Sequence, residues 1–153
     1  MTATNHAVMG SIVAVGVANP VIGLPLAFAS HFLLDSLPHF GAHTVAQPGS
    51  KEFSAILKFD TFLTTSFVLI STFAGYRAGL PVWLVPAGAM LGWIPDVMWY
   101  KHYQNDIHGE DKHWDIVRKV HKKIQRFEVS WGWIVESIWF AITVALLSWL
   151  IFS

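Results

Sequence analysis

Three segments of this chain are long and apolar enough to cross a membrane, and this limits its possible folds more than any other feature. They are residues 61–76 (extended back through 53–59), 81–100 and 131–152. A spanning helix needs about 20 such residues. The chain is 54% hydrophobic and only 13% charged, whereas soluble domains carry about 25% charged residues. The sequence therefore predicts a single all-α membrane domain over residues 1–153.

The N-terminal apolar segment, residues 7–37, is too long for one span and short for two. Asn19 and Pro20 in its middle form a turn signal. We favour two short helices, 7–18 and 21–37, that form a hairpin, and a single span kinked at proline is the alternative. The predicted fold is a polytopic membrane helical bundle of about five apolar helices.

The loop 101–130 carries seven of the ten Lys and Arg residues. By the positive-inside rule this loop is predicted to be cytoplasmic. Within it, residues 111–127 have the apolar spacing of an amphipathic helix lying at the membrane surface. The histidines of the loop fit a solvated surface, a second metal site or a proton relay, and the sequence leaves their role open: His102, His108, His113 and His121.

A weak internal repeat supports the hairpin. The shift that aligns Asp35 with Asp96 also aligns two pairs of prolines in the preceding apolar stretches. This predicts a pseudo-repeat of two helical hairpins, 7–37 and 60–100, related by an axis along the membrane normal. Each hairpin would then deliver one acid to a shared site.

Ionisable residues stand in or beside the apolar helices, where a charge is costly and marks a functional site. They are His31, Asp35, Asp60, Asp96 and Glu136. With the hairpin topology these residues, together with His6 ahead of the first helix, all fall at the cytoplasmic end of the bundle. Asp60 is expected at the start of the third helix, and Glu136 one turn into the last.

The densest local motif contains His31, Asp35 and His39. Residues four apart on a helix share a face, so His31 and Asp35 point together. Imidazole and carboxylate donors suit a divalent metal ion of the Zn, Mn or Fe class; a hydrogen-bonded His–Asp pair is the alternative. Asp60 and Asp96 are expected at the same depth, and clustered carboxylates would be forced neutral without a cation.

These residues resemble a known family. His6 before a short apolar helix, the stretch SHFLLDSLPHF, Asp60 at the next hairpin and the Pro95-Asp96 pair are similar to the predicted membrane-bound metal-dependent hydrolases, small proteins of the bacterial inner membrane. The resemblance covers residues 5–100. It implies a metal-dependent hydrolase with five metal ligands: His6, His31, Asp35, Asp60 and Asp96.

The sequence thus predicts an integral-membrane metal-dependent hydrolase that acts near the cytoplasmic face on a lipid or phosphoester substrate. Asp60 or Glu136 is predicted to act as ligand or base, and His39 as a proton shuttle or a support to the ligands. Cysteine is absent, which excludes thiolate ligands and Cys nucleophiles.

Two other functions fit the same pattern. The chain could be a non-catalytic subunit or scaffold, since a small bundle of this kind is expected to contact lipid and to form a homo-oligomer or join a larger membrane complex. It could also transport metal ions or protons, although acids at one face do not suit alternating access. The formal net charge is zero, so no basic field favours a nucleic-acid partner.

Overall fold

A computed structural model describes residues 1–17, 19–108, 123–124 and 127–153, and for residues 98–108 the backbone alone. The described part is all-helical, as predicted. It contains one short 3-10 turn, Ala42–Thr44, and five α-helices: α1 (Ala3–Gly16), α2 (Pro20–Asp35), α3 (Lys51–Arg77), α4 (Leu84–His108) and α5 (Gly132–Phe152).

The N-terminal segment forms the predicted pair of short helices. Asn19 caps α2 by accepting a hydrogen bond from the backbone N–H of Val21 at 2.9 Å, and Pro20 occupies the first helical position, where its missing N–H costs nothing. At about 1.5 Å per residue the 14 residues of α1 and the 16 of α2 are about 21 and 24 Å long, shorter than the roughly 30 Å core of a bilayer.

Helix α1 lies at the centre of the bundle and contacts each of the other four α-helices. Its closest partner is α4, because glycines let the two backbones meet. A Cβ atom built on Gly10 would lie 2.2 Å from the carbonyl oxygen of Gly88, and one on Gly92 would lie 2.3 Å from that of His6. Gly88 and Gly92 stand four apart, the spacing by which membrane helices pack closely. This contact brings His6 against α4.

Among the described helices, α3 and α5 are long and apolar enough to cross a membrane by length and composition. They are only 11% and 22% buried within the bundle, unlike the core helices of soluble proteins. The apolar helix α2 and the apolar part of α4, Leu84–Val97, are shorter. The described residues therefore support two membrane spans, where the sequence predicts three long ones, and a polytopic bundle of about five apolar helices stays a prediction.

Several boundaries differ from those predicted. Helix α1 begins four residues earlier, at Ala3, and two other differences are larger. Helix α4 continues past residue 100 to His108, because neither glycine nor proline interrupts the chain between Asp96 and Gly109. Helix α3 begins at Lys51, capped by the Ser50 hydroxyl, so Asp60 lies inside α3 and does not open it. Of the predicted amphipathic helix over 111–127 the structure describes only residues 123, 124 and 127, and the side chains of the loop histidines lie outside the described residues.

Candidate metal centre

Four of the predicted ligands converge in one group, which we call the His/Asp group: His6, His31, Asp35 and Asp96. Each offers one ligand atom, and these atoms all lie within 4.8 Å of one another. The side chains come from three helices: α1, α2 and α4. Three of them are fully buried, whereas the side chain of Asp96 is 22% exposed. The group is thus closed except at Asp96.

Both imidazoles face both carboxylates. The Nε2 atoms of His6 and His31 each lie 3.1 Å from an oxygen of Asp35. Their distances to the nearest oxygens of Asp96 are 3.9 and 3.7 Å. The two rings are stacked, with centroids 3.9 Å apart, and two protonated imidazoles at that separation would repel each other. Protonation of both histidines is therefore an unfavourable way to balance the negative charges of Asp35 and Asp96.

The tautomer of His31 follows from its hydrogen bond to α4. Its Nδ1 lies 2.9 Å from the carbonyl oxygen of Gly92, and because a carbonyl can only accept, Nδ1 carries the hydrogen. In the neutral ring Nε2 then presents a lone pair to Asp35 and Asp96. A backbone carbonyl that fixes one ring nitrogen in this way is the usual support of a metal-binding histidine.

A positively charged group, the α-amino group of Met1, lies close to the His/Asp group. The α-amino nitrogen of Met1 is 2.8 Å from Oδ1 of Asp35. Burial lowers the pKa of this ammonium, but the carboxylates of Asp35, Asp96 and Glu136 outweigh that effect and raise its pKa above the ordinary value. The ammonium neutralises part of the negative charge, and any metal ion would compete with it.

The structure places Asp60 outside the His/Asp group. Its carboxylate accepts hydrogen bonds from the backbone N–H groups of Ala3 at 2.7 Å and Thr4 at 3.1 Å, and from the Thr4 hydroxyl at 2.6 Å. Thr2, at the N-cap position of α1, makes no side-chain cap. Asp60 therefore caps α1 from the neighbouring helix α3, where a carboxylate also complements the helix dipole.

Glu136 of α5 accepts hydrogen bonds from two other segments, the start of α1 and the residues after α2. Its Oε2 accepts hydrogen bonds from the backbone N–H of Thr2 at 3.0 Å and from the Asn5 amide at 3.1 Å. Its Oε1 accepts one from the backbone N–H of Phe40 at 2.8 Å. The carboxylate thus joins the start of α1 to the segment after α2.

The acids matched by the sequence repeat meet in the His/Asp group. Asp35 ends α2, Asp96 lies in α4, and each approaches both imidazoles. The hydrogen bond from His31 to Gly92 also joins positions 61 apart, the same separation as the two acids. Convergence of one acid from each hairpin agrees with the predicted pseudo-repeat, which stays a prediction.

His39 also lies outside the His/Asp group. Its Nε2 is 3.7 Å from Oε1 of Glu128, and Nε2 of His43 is 3.2 Å from the other oxygen of that carboxylate. Glu128 and His43 were not predicted as site residues, because the contact joins parts of the chain separated by the loop after α4 and no local spacing signals it.

Comparisons of the chain with family models, with curated proteins and with solved structures find no match. The resemblance to membrane-bound metal-dependent hydrolases therefore stays a prediction.

Proposed function

We propose that this protein is an integral-membrane hydrolase that depends on a divalent metal ion held by the His/Asp group. One observation carries the proposal: two imidazole nitrogens and two carboxylates from three helices lie within 4.8 Å of one another in a buried site. Two carboxylates brought together in such a place are stabilised by a shared cation.

The donor set fits the metal class. Two imidazole nitrogens and two carboxylates suit Zn, Mn or Fe ions better than Mg or Ca, which prefer oxygen alone. When bound, such an ion would polarise an ester or phosphoryl oxygen and lower the pKa of a bound water to about 7. The protein residues would hold the ion, and Gly92 would fix the His31 ring that binds it.

Access to the site favours Asp96 as the residue nearest the substrate. It is the partly exposed member of the group, whereas His6, His31 and Asp35 are sealed within the bundle. A substrate and the attacking water would approach along this edge. The catalytic roles predicted for Asp60, Glu136 and His39 stay predictions. The carboxylates of Asp60 and Glu136 accept hydrogen bonds from backbone N–H groups in this structure.

The membrane setting suggests the substrate class. Large apolar side chains point outward along both candidate spans, among them Phe62 and Ile70 of α3 and Ile142 and Trp149 of α5. Such faces are stable in lipid and unfavourable in water. We propose that the bundle lies in a bacterial inner membrane, that the remaining apolar helices are embedded beside these spans, and that the substrate is a lipid or phosphoester at the headgroup level.

Hydrolysis is tested with purified protein in lipid nanodiscs, loaded with Zn²⁺ or Mn²⁺ and offered phospholipids and soluble phosphoesters. We expect activity that a chelator removes and added metal restores. Asp96→Asn should lower the rate by about 100-fold or more, while Glu52→Gln, which alters an exposed acid on α3, should keep it. Metal-independent activity, or equal rates in both variants, would contradict the proposal.

Orientation is tested with single-cysteine variants, which the absence of native cysteine makes simple. If residues 101–130 are cytoplasmic, the turn after α3 faces outward and the segment after α2 faces inward. A membrane-impermeant thiol reagent applied to intact spheroplasts should label an Ala78→Cys variant and spare a Gln47→Cys variant, both at exposed positions. Labelling of the second variant alone would reverse the orientation.

A non-catalytic membrane subunit is the second candidate, and the Met1 ammonium favours it. If this buried cation alone balances Asp35, the group needs no metal. Metal analysis separates the two functions: equal metal content in wild type and Asp35→Asn after loading would leave the subunit as the better explanation.

A further inference from the structure

We propose that His39, His43 and Glu128 form a second divalent-cation site, separate from the His/Asp group. We call these residues the His/Glu group. It takes a borderline ion such as Zn²⁺, because two imidazoles and one carboxylate match that class of metal. The proposal does not depend on the proposed hydrolase function.

The first observation is a buried ring nitrogen directed into the group. His39 is fully buried, and its Nδ1 donates a hydrogen bond to the carbonyl oxygen of Leu37 at 2.7 Å. The opposite nitrogen, Nε2, makes no hydrogen bond to any described residue. It lies 3.7 Å from Oε1 of Glu128, an acceptor facing a lone pair. Because Nδ1 is engaged by Leu37, Nε2 is the nitrogen of His39 that is placed to bind a cation.

Glu128 stands between the two imidazoles. One carboxylate oxygen approaches His39, and the other lies 3.2 Å from Nε2 of His43. The Glu128 side chain is 19% exposed and that of His43 is 51% exposed. An ion can therefore reach the buried nitrogen of His39 from solvent through the side of His43.

The backbone holds Glu128 in register with His39. The N–H of His39 donates to the carbonyl of Phe127 at 3.2 Å, and the N–H of Val129 donates to the carbonyl of His39 at 2.9 Å. These bonds form an isolated parallel bridge between His39 and Glu128. The two residues are thus joined by main-chain contacts as well as by the approach of their side chains.

Two glycines leave space for this arrangement. A Cβ on Gly132 would lie 2.2 Å from the carbonyl carbon of His39, and one on Gly41 would lie 3.0 Å from two side-chain carbons of Glu128. The first approach is closer than a side chain tolerates, and the second is tighter than most side-chain contacts. The start of α5 and the segment after α2 therefore enclose the His/Glu group on two sides.

The test is a Zn²⁺ titration of the purified full chain by calorimetry, repeated with Co²⁺, whose visible spectrum reports its ligands. Relative to wild type, Glu128→Gln and His43→Gln should each bind about one ion fewer per chain, or bind it about 10–100-fold more weakly. Glu52→Gln, at an exposed position on α3, should match wild type.

His43 is half-exposed, so its substitution tests the site even if Glu128→Gln fails to fold. Asp35→Asn is the converse variant. It should lose the ion of the His/Asp group and keep the ion bound by His39, His43 and Glu128. Unchanged Zn²⁺ stoichiometry and affinity in His43→Gln, with an unchanged Co²⁺ spectrum, would overturn the second site whatever the first one binds.

Discussion

Asp35→Asn is expected to abolish metal binding by the His/Asp group. Both oxygens of Asp35 approach imidazole nitrogens at 3.1 Å in a fully buried position, and an amide of the same shape lacks the charge that holds a cation. We expect the metal content to fall by about one ion per chain, with affinity at that group reduced by more than 100-fold, beyond the roughly 10–100-fold loss seen when only a ligand's support is removed.

Asp60→Asn makes the same chemical change in a carboxylate that the structure assigns to capping. Its oxygens accept hydrogen bonds from Ala3 and Thr4, so the variant should keep its metal and lose about 1–3 kcal/mol of unfolding free energy. Elemental analysis and thermal unfolding in detergent measure the two effects. Metal lost from both variants would favour the sequence-derived ligand set, which includes Asp60, over the structural one.

The Asp35→Asn variant also shows whether a metal ion or the Met1 ammonium balances the charge of Asp35. If the ammonium is the resident cation at Asp35, wild type and Asp35→Asn contain equal amounts of metal and differ only in stability. Equal metal content in wild type and Asp35→Asn therefore contradicts the His/Asp metal site, whatever happens to the melting temperature.

Gly10→Ala is expected to separate α1 from α4. The added Cβ would meet the carbonyl oxygen of Gly88 at 2.2 Å, and since both atoms belong to helix backbones, the helices themselves must move. Overpacking of this kind costs about 1–3 kcal/mol or more. His6 and Asp96 lie on the two sides of this contact, so their donor atoms should also move apart and the affinity for Zn²⁺ should fall.

Gly16→Ala is the matched control on the same helix. Its Cβ would meet only Cδ1 of Leu150, at an ordinary 3.6 Å, and replacing a helical glycine by alanine gains about 0.5–1 kcal/mol. The two substitutions should therefore change stability in opposite directions. If both variants melt at the same temperature and bind Zn²⁺ equally, close packing of α1 on α4 does not position the site.

The sequence predicts the helices because apolar runs and turn signals are local. Residues 53–76 and 131–152 lie within α3 and α5 apart from one end residue, and Asn19 marks the hairpin turn. The pairing of His31 with Asp35 follows from helical spacing alone. Convergence of Asp96 on the same group was predicted from topology, and the structure shows it.

Contacts between distant segments could not be predicted from local pattern. Asp60 caps α1 across 57 positions, and a carboxylate in an apolar stretch looks the same whether it binds a metal or backbone amides. The position of Glu128 beside His39 likewise depends on how the chain returns after α4. The Gly88–Gly92 spacing, in contrast, is visible in the sequence as a close-packing motif and would have indicated the α1–α4 contact.

The way α1 begins has a consequence for assembly in the membrane. The backbone amides at its start are satisfied by a carboxylate on α3 and by another on α5, and in lipid an unsatisfied amide costs several kcal/mol. Helix α1 thus completes its hydrogen bonding only after α3 and α5, which follow it in the chain, have packed against it. In the proposed membrane setting, the start of α1 would therefore stay at the water interface until α5 has packed against it.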